Sequence, residues 1–373
     1  ILSNISYIYH ISETRSRKVF EKFPQKNKKK HQSPIMPTTV LVSGATGFIA
    51  QHTIKLLLSK GYKVVGTVRS AEKGKHVTKL FDSENFTYEV VPSLTTSGAF
   101  DDVVKKHSEA TVFLHTASPV TFTTTEVEAD LLIPAVEGTK NALSAIQKHG
   151  PQYKHVVVTS SVVALADLAQ INDPSKTVNE ESWSPITWDE AKANPFAGYF
   201  GSKKFAEKAA WEFYENEKPA FTLNVINPVY VFGPQAFDAE VKEELNISAE
   251  VINKLLKLQP DSPLPEEKGG FVDVRDVAKA HVAAFENGFN KKRLLLYSEK
   301  FTAQKLLNIL NGHFDSLKGK LPKGDPELAD QDPAGAKLDN SQTRQLLNFP
   351  FVDLETSAID SVTQIIKAKQ TAT

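Results

Sequence analysis

Between Thr39 and Ile226 short apolar, β-branched runs alternate with longer amphipathic ones, and this alternation leaves few folds open. The apolar runs are Thr39–Val42, Tyr62–Val68, Glu89–Val91, Thr111–His115, His155–Thr159 and Leu223–Ile226. Between them lie His52–Lys60, Ala99–Lys106 and Val127–Lys148, which have helical spacing. Continuously apolar strands are buried on both faces, so helices must cover both sides of a parallel sheet joined by right-handed crossovers. The expected fold class is α/β, a Rossmann-type doubly wound parallel sheet. Ligands of such a sheet lie outside the carboxyl ends of its strands.

Three informative segments fall at those ends. The first is Ser43-Gly44-Ala45-Thr46-Gly47-Phe48-Ile49-Ala50, a strand, a glycine turn and a helix start. Gly44 and Gly47 would let the backbone turn tightly and approach a pyrophosphate at a helix N-terminus, and Ala50 would allow close helix packing. The others are His115-Thr116-Ala117-Ser118-Pro119 and Thr159-Ser160-Ser161. The second strand ends at Arg69, where an NAD-preferring site usually carries an acid for the ribose hydroxyl. Arg69 and Lys73 instead offer two cations for a 2′-phosphate, which favours NADPH.

Tyr199 and Lys203 stand four residues apart in a stretch that reads as helix, so they share one face. A fixed cation can lower a phenol pKa toward the range where it donates a proton to a carbonyl. The spacing recurs at Tyr214 and Lys218, just before Pro219, a pair expected to lie on the surface. Only its neighbours distinguish the first pair.

Composition excludes other classes. Lys plus Arg and Asp plus Glu both number 44, so charge gives no reason to expect nucleic acid. There is no Cys, which rules out disulfides and thiolate metal sites in this chain, and no apolar run approaches the roughly 20 residues of a spanning helix. Asp273, Asp276 and His281 lack a compact ligand set, so no metal is expected. The first 35 residues differ, with eight basic against two acidic residues, and the chain's only Met is Met36. Residues 1–35 are expected to be a disordered upstream or targeting extension, with Met36 as the natural start. A transit peptide and a basic targeting patch at Asn27–Lys30 are the rival readings.

The motifs Gly44–Ala50, His115–Pro119, Thr159–Ser161, Tyr199–Lys203 and Asn227–Pro234, with Glu207–Phe213 and Asp273–His281, resemble the extended short-chain dehydrogenase/reductases. Within them the chain is similar to the NADPH-dependent methylglyoxal and isovaleraldehyde reductases known from yeast, in the dihydroflavonol reductase-like group. The resemblance implies Ser161, Tyr199 and Lys203 as catalytic residues, with Lys203 also binding the nicotinamide ribose. It places the cofactor on Gly44, Thr46, Gly47, Phe48, Ile49, Arg69, Lys73, Thr116, Ala117, Tyr199, Lys203, Pro228 and Val231. Ser160 would then be structural, and His115 a polar neighbour without a proton-transfer role.

Two positions depart from the family pattern. Ser93 stands where relatives place an acid near the adenine, and Val162–Ala166 lacks the aromatic residues that usually wall the substrate. Phe122, Val162 and Tyr230 remain as substrate-pocket candidates, and a wider pocket accepting bulky ketones is expected. The implied organisation is a cofactor domain of residues 36–234 plus 270–298 and a smaller C-terminal substrate-binding domain of residues 235–269 plus 299–373. The implied activity is NADPH-dependent reduction of aldehydes and ketones to alcohols, with small-molecule carbonyl partners, no nucleic acid or membrane partner, a homodimer as candidate assembly, and a cytoplasmic location. Alternatives on the same fold are an NADP-binding sensor without turnover and a sugar-nucleotide epimerase or steroid-type dehydrogenase.

Overall fold

Successive residues of β1 (Thr39–Ser43) point to opposite sides of one sheet: Val40 and Val42 join one apolar cluster, Leu41 another. The computed structural model describes residues 38–330 and 335–371, and the expectations placed on residues 1–35 lie outside them. The other strands are β2 (Lys63–Val68), β3 (Phe86–Val90), β4 (Ala110–His115), β5 (His155–Thr159), β6 (Thr177–Val178) and β7 (Thr222–Pro228). They are followed by β8 (Tyr230–Phe232), β9 (Lys268–Asp273), β10 (Lys292–Leu296), β11 (Glu299–Thr302) and β12 (Lys337–Leu338).

Seven of these form a sheet in the order β3-β2-β1-β4-β5-β7-β10, every pairing parallel. The order reverses between β1 and β4, and that switch point opens a crevice at their carboxyl ends. Both faces are covered, as continuous apolar strands require. The helices Phe48–Ser59 and Val274–Glu286 contribute to one cluster, and Ile133–His149 and Pro195–Glu217 to the other. A third cluster, with Phe232, Ile252, Phe271, Phe301, Leu306 and Val362, surrounds a small sheet in which β9 pairs antiparallel with β11 and parallel with β8. β6 and β12 pair separately.

Several boundaries differ from the sequence expectation. The first helix starts at Phe48, directly after Gly47, because the adjacent apolar residues Phe48, Ile49 and Ala50 hide the helical period. The expected helix Val127–Lys148 divides into a wide π-turn over Glu128–Leu132 and a helix over Ile133–His149. Pro134 has no N–H to complete an ordinary turn, and a wider turn accommodates it.

The helix Pro195–Glu217 begins with Asn194, whose side chain accepts from Ala197 N, and with Pro195, preset for a first helical position. It ends at Lys218, in the left-handed region, before Pro219. A Cβ at Gly198 would lie 2.3 Å from Val127 Cγ1, and one at Gly201 2.3 Å from Ala191 Cβ and 3.1 Å from Leu132 Cδ2. Those two glycines let the π-turn segment press against the helix. Tyr214, expected at the surface, is buried in the second apolar cluster. The polar run Glu215–Glu217 belongs to the opposite side of the last turn, while the Tyr214 hydroxyl donates to Asn290 Oδ1 at 3.1 Å.

Candidate functional site

The glycine turn is shaped by what it must avoid. Gly44 has φ +72°, and a Cβ there would lie 3.1 Å from Ala117 Cα, so backbone passes where a side chain would stand. Its N–H reaches Thr67 Oγ1 at 3.3 Å, and Ala45 N–H donates to Thr67 O at 2.9 Å, which ties the turn to the tip of β2. From the other side, Ser43 Oγ accepts from Thr116 N and Ala117 N, each at 3.0 Å, and its O–H donates to His115 Nδ1 at 2.9 Å. Burial, with a smaller contribution from the Lys203 charge, holds the His115 pKa down at about 4. The imidazole is therefore neutral and serves as an acceptor that orients Ser43.

A cavity of about 720 Å³ lies over this turn, lined by Gly44, Thr46 and Gly47, by Arg69 and Lys73, and by Thr116 and Ala117. Val91–Thr95, Ser93 included, also lines this cavity. Arg69 and Lys73 are exposed at its edge. The backbone cradle and the two exposed cations fit a dinucleotide carrying an extra phosphate.

A second cavity, of about 210 Å³, adjoins the first: Gly47, Thr116 and Ser118 line both. Its walls bring together Phe48, Ile49, Ser161, Tyr199, Lys203, Pro228 and Val231 from four separate stretches of chain. The Tyr199 hydroxyl donates to Ser161 Oγ at 3.5 Å, and Ser161 Oγ also accepts from Val163 N at 3.4 Å. Burial raises the Tyr199 pKa, the Ser161 hydrogen bond opposes this, and the neighbouring Tyr230 adds to it. Lys203 is buried, and desolvation lowers its pKa to about 8. The expectation that Lys203 pulls the phenol down is not met in this structure, because removal of the phenol from water outweighs the other influences. Among the described residues no hydrogen bond or ion pair engages Lys203 Nζ, which leaves its donors for a bound molecule.

The substrate-pocket candidates are placed differently. Phe122 packs edge-on against Tyr199 with ring centroids 5.8 Å apart, and Tyr230 packs edge-on against Phe301 at 5.3 Å. Both are partly exposed beside the cavity rather than within its lining. Val162 opens the short helical turn Val162–Ala164 and packs against the first apolar cluster. Sequence reasoning missed Ser118, Val120, Asn246 and Ser248, which do line the inner cavity. Ser118 was within reach, one position beyond Ala117, whereas Asn246 and Ser248 carried only the signal of polar residues at the start of the amphipathic helix Ile247–Leu255.

The residues of the Asp273–His281 run are satisfied by protein groups. Asp273 is bridged by Arg275 at 2.8 Å, Asp276 accepts from Val352 N at 2.6 Å, and His281 contacts Thr159 Oγ1 at 2.7 Å and Val277 O at 2.8 Å.

A wholly parallel sheet with a backbone cradle at its switch point, beside a phenol and a lysine on one helix, defines a dinucleotide-dependent class of protein. The family described as NAD dependent epimerase/dehydratase matches residues 40–296, and the chain belongs to it. It is 56% identical over 336 residues to a putative NADPH-dependent methylglyoxal reductase of Candida albicans, covering 88% of this chain and 98% of that one. Identity to the NADPH-dependent methylglyoxal reductase of Saccharomyces cerevisiae is 48% over 336 residues, with the same coverage of 88% and 98%. The crystal structure of yeast methylglyoxal/isovaleraldehyde reductase complexed with NADPH superposes with a TM-score of 0.87 at 47% identity, covering 89% of this chain and 99% of that one.

Proposed function

We propose that this chain is an NADPH-dependent carbonyl reductase, an oxidoreductase that converts aldehydes and ketones, methylglyoxal and isovaleraldehyde among them, to alcohols. One observation carries the reading: Ser161, Tyr199 and Lys203 line a cavity that shares Gly47, Thr116 and Ser118 with the larger one edged by Arg69 and Lys73. The relatives' NADPH dependence supports the same cofactor here.

The bound dinucleotide supplies a hydride. Negative charge then grows on the carbonyl oxygen, where Tyr199 delivers a proton and Ser161 donates a hydrogen bond. Lys203, charged below pH about 8, holds the ribose hydroxyls and stabilises the phenolate left after proton transfer. Pro228 and Val231 bound the nicotinamide end, and Arg69 and Lys73 meet the 2′-phosphate. The small inner cavity suits compact carbonyls, and its open rim at Phe122 and Tyr230 supports acceptance of bulkier ketones.

We also assign residues 36–234 plus 270–298 to cofactor binding and residues 235–269 plus 299–373 to substrate binding. The third apolar cluster and the contribution of Asn246 and Ser248 to the inner cavity support this division. The strands β9 and β11 pair across its boundary, Phe271 with Glu299 and Gly270 with Lys300. A homodimer and a cytoplasmic location complete the proposal; no described helix is long and apolar enough to cross a membrane.

The test is NADPH oxidation with methylglyoxal, isovaleraldehyde, a diketone and a bulky aryl ketone. Turnover with the aldehydes and the diketone is expected, with NADH a poorer donor. Absence of turnover with every compound would leave the sensor or epimerase reading in its place.

A further inference from the structure

The ladder between β5 and β7 ends with Ser160 N donating to Ile226 O at 2.8 Å, just short of the residues that face the reaction. Beyond it the two segments, Ser161 on one side and Asn227-Pro228 on the other, diverge around the inner cavity. Past that point they are joined by the Asn227 amide, which donates to Ser161 O, and by one buried carboxylate that grips both. Glu207, 1% exposed, accepts from Ser160 Oγ at 2.5 Å and from Asn227 Nδ2 at 2.7 Å on the same oxygen. Its other oxygen accepts from Arg293 Nε at 2.5 Å and Trp211 Nε1 at 3.3 Å.

Glu207 lies one helical turn beyond Lys203, on the helix that carries Tyr199. We propose that Glu207 is a positioning residue for the reduction: its carboxylate fixes the spacing between Ser161, Tyr199 and the Asn227-Pro228 wall. The inference rests on the carbonyl-reductase reading of the site. The orientation of Asn227 carries the argument furthest. Its amide nitrogen donates both to Glu207 and to Ser161 O, at 3.2 Å, while its Oδ1 is buried without a hydrogen-bond partner. A buried acceptor left unsatisfied is costly, so some group must hold the amide in that sense. An acceptor-only carboxylate does so, because turning the amide would set Oδ1 against Glu207 and release the Ser161 carbonyl. The charge of Glu207 is balanced by Arg293, whose guanidinium also donates to Glu180 O and Ser182 O and stacks 3.9 Å over Trp183. The anchor of the site therefore lies on the far side of the sheet end, out of contact with any reacting atom.

Glu207→Gln places an amide donor among donors and invites Asn227 to turn, so kcat should fall about tenfold or more while NADPH affinity stays within about threefold. That variant also strips Arg293 of its buried partner, so Ser160→Ala and Ser160→Thr complete the test. The alanine variant keeps the Glu207–Arg293 pair but loses one tether, and kcat should fall about fivefold. The threonine variant keeps the hydroxyl and crowds a buried site, so its melting temperature should be the lower of the two while its kcat stays within about twofold of the parent. Wild-type kcat in Ser160→Ala, or kcat that follows melting temperature across the three variants, overturns the proposal. Tyr199→Phe is run alongside: if it retains turnover the reading of the site falls, whereas an inactive Tyr199→Phe beside a fully active Ser160→Ala removes only the role given to Glu207.

Discussion

The two ends of the crevice are built by opposite means. At the outer end, the turn at Gly44 and Gly47 is held by hydrogen bonds to the Thr67 hydroxyl and carbonyl and by the Ser43 hydroxyl, and its cations, Arg69 and Lys73, stand in solvent. At the inner end, Ser161, Tyr199, Lys203 and Pro228 come from distant stretches, and the polar groups around them are buried. A charged phosphate can be met by solvated cations and exposed amides, whereas a proton transfer needs donors fixed in place before the substrate arrives. The outer end meets its ligand with exposed cations, and the inner end depends on a buried network.

The contrast predicts how variants divide between binding and rate. The largest effect belongs to Tyr199→Phe, which should lower kcat by about a thousandfold with NADPH affinity unchanged by fluorescence titration. Comparable losses in affinity and rate would erase the distinction between the two ends.

Lys203 offers a stability readout as well. Its folded-state pKa of about 8 lies below the 10.5 of an unperturbed lysine, so near neutral pH the folded chain holds a charge that burial disfavours. Between about pH 8 and 10.5 the unfolded chain binds the extra proton, and the folded state gains stability as pH rises, by roughly 3 kcal/mol in total. Denaturant melts of wild type and Lys203→Met across that window should converge toward high pH, with Lys203→Met the more stable at pH 7. Parallel curves would mean that Lys203 is better solvated than its position suggests. The variant should also be nearly inactive, and wild-type turnover should decline as pH rises through about 8.

Smaller effects belong to the outer end. Arg69→Ala and Lys73→Ala should each raise the KM for NADPH by about ten- to thirtyfold, with kcat and the KM for NADH nearly unchanged. A fall in kcat instead would show that the outer end also fixes the reaction geometry. The smallest expected change is a KM rise of about threefold for a bulky ketone in Phe122→Ala, from loss of an aromatic contact at the rim. Equal effects on methylglyoxal would place Phe122 inside the pocket.

The same division governs what could be read from the chain. The strands and the doubly wound sheet follow from local apolar runs, and the outer lining follows from contiguous motifs. The inner end was legible only as scattered pieces joined by resemblance. Asn246 and Ser248 reach the cavity because the third apolar cluster brings their helix there, a long-range packing result with almost no local signature. Glu207 acquires its partner Arg293 from 86 residues away. Tyr214 was misplaced because its polar neighbours mark one side of a helix whose other side packs under the sheet. Even the phenol pKa depends on how fully the cleft excludes water, which residue spacing does not encode.

Gly198 and Gly201 flank Tyr199 in sequence, and each leaves room for a neighbouring segment where a methyl group would collide. The helix turn bearing Tyr199 presents bare backbone to the side chains of Val127, Leu131 and Leu132, which seat directly on it and couple it to the π-turn at Glu128–Leu132. Displacement of one is displacement of the other. Val127, Leu131 and Leu132, which line neither cavity, can therefore set the aim of Tyr199, and substitutions at those three positions offer a handle on stereochemical outcome that leaves every cavity-lining side chain in place.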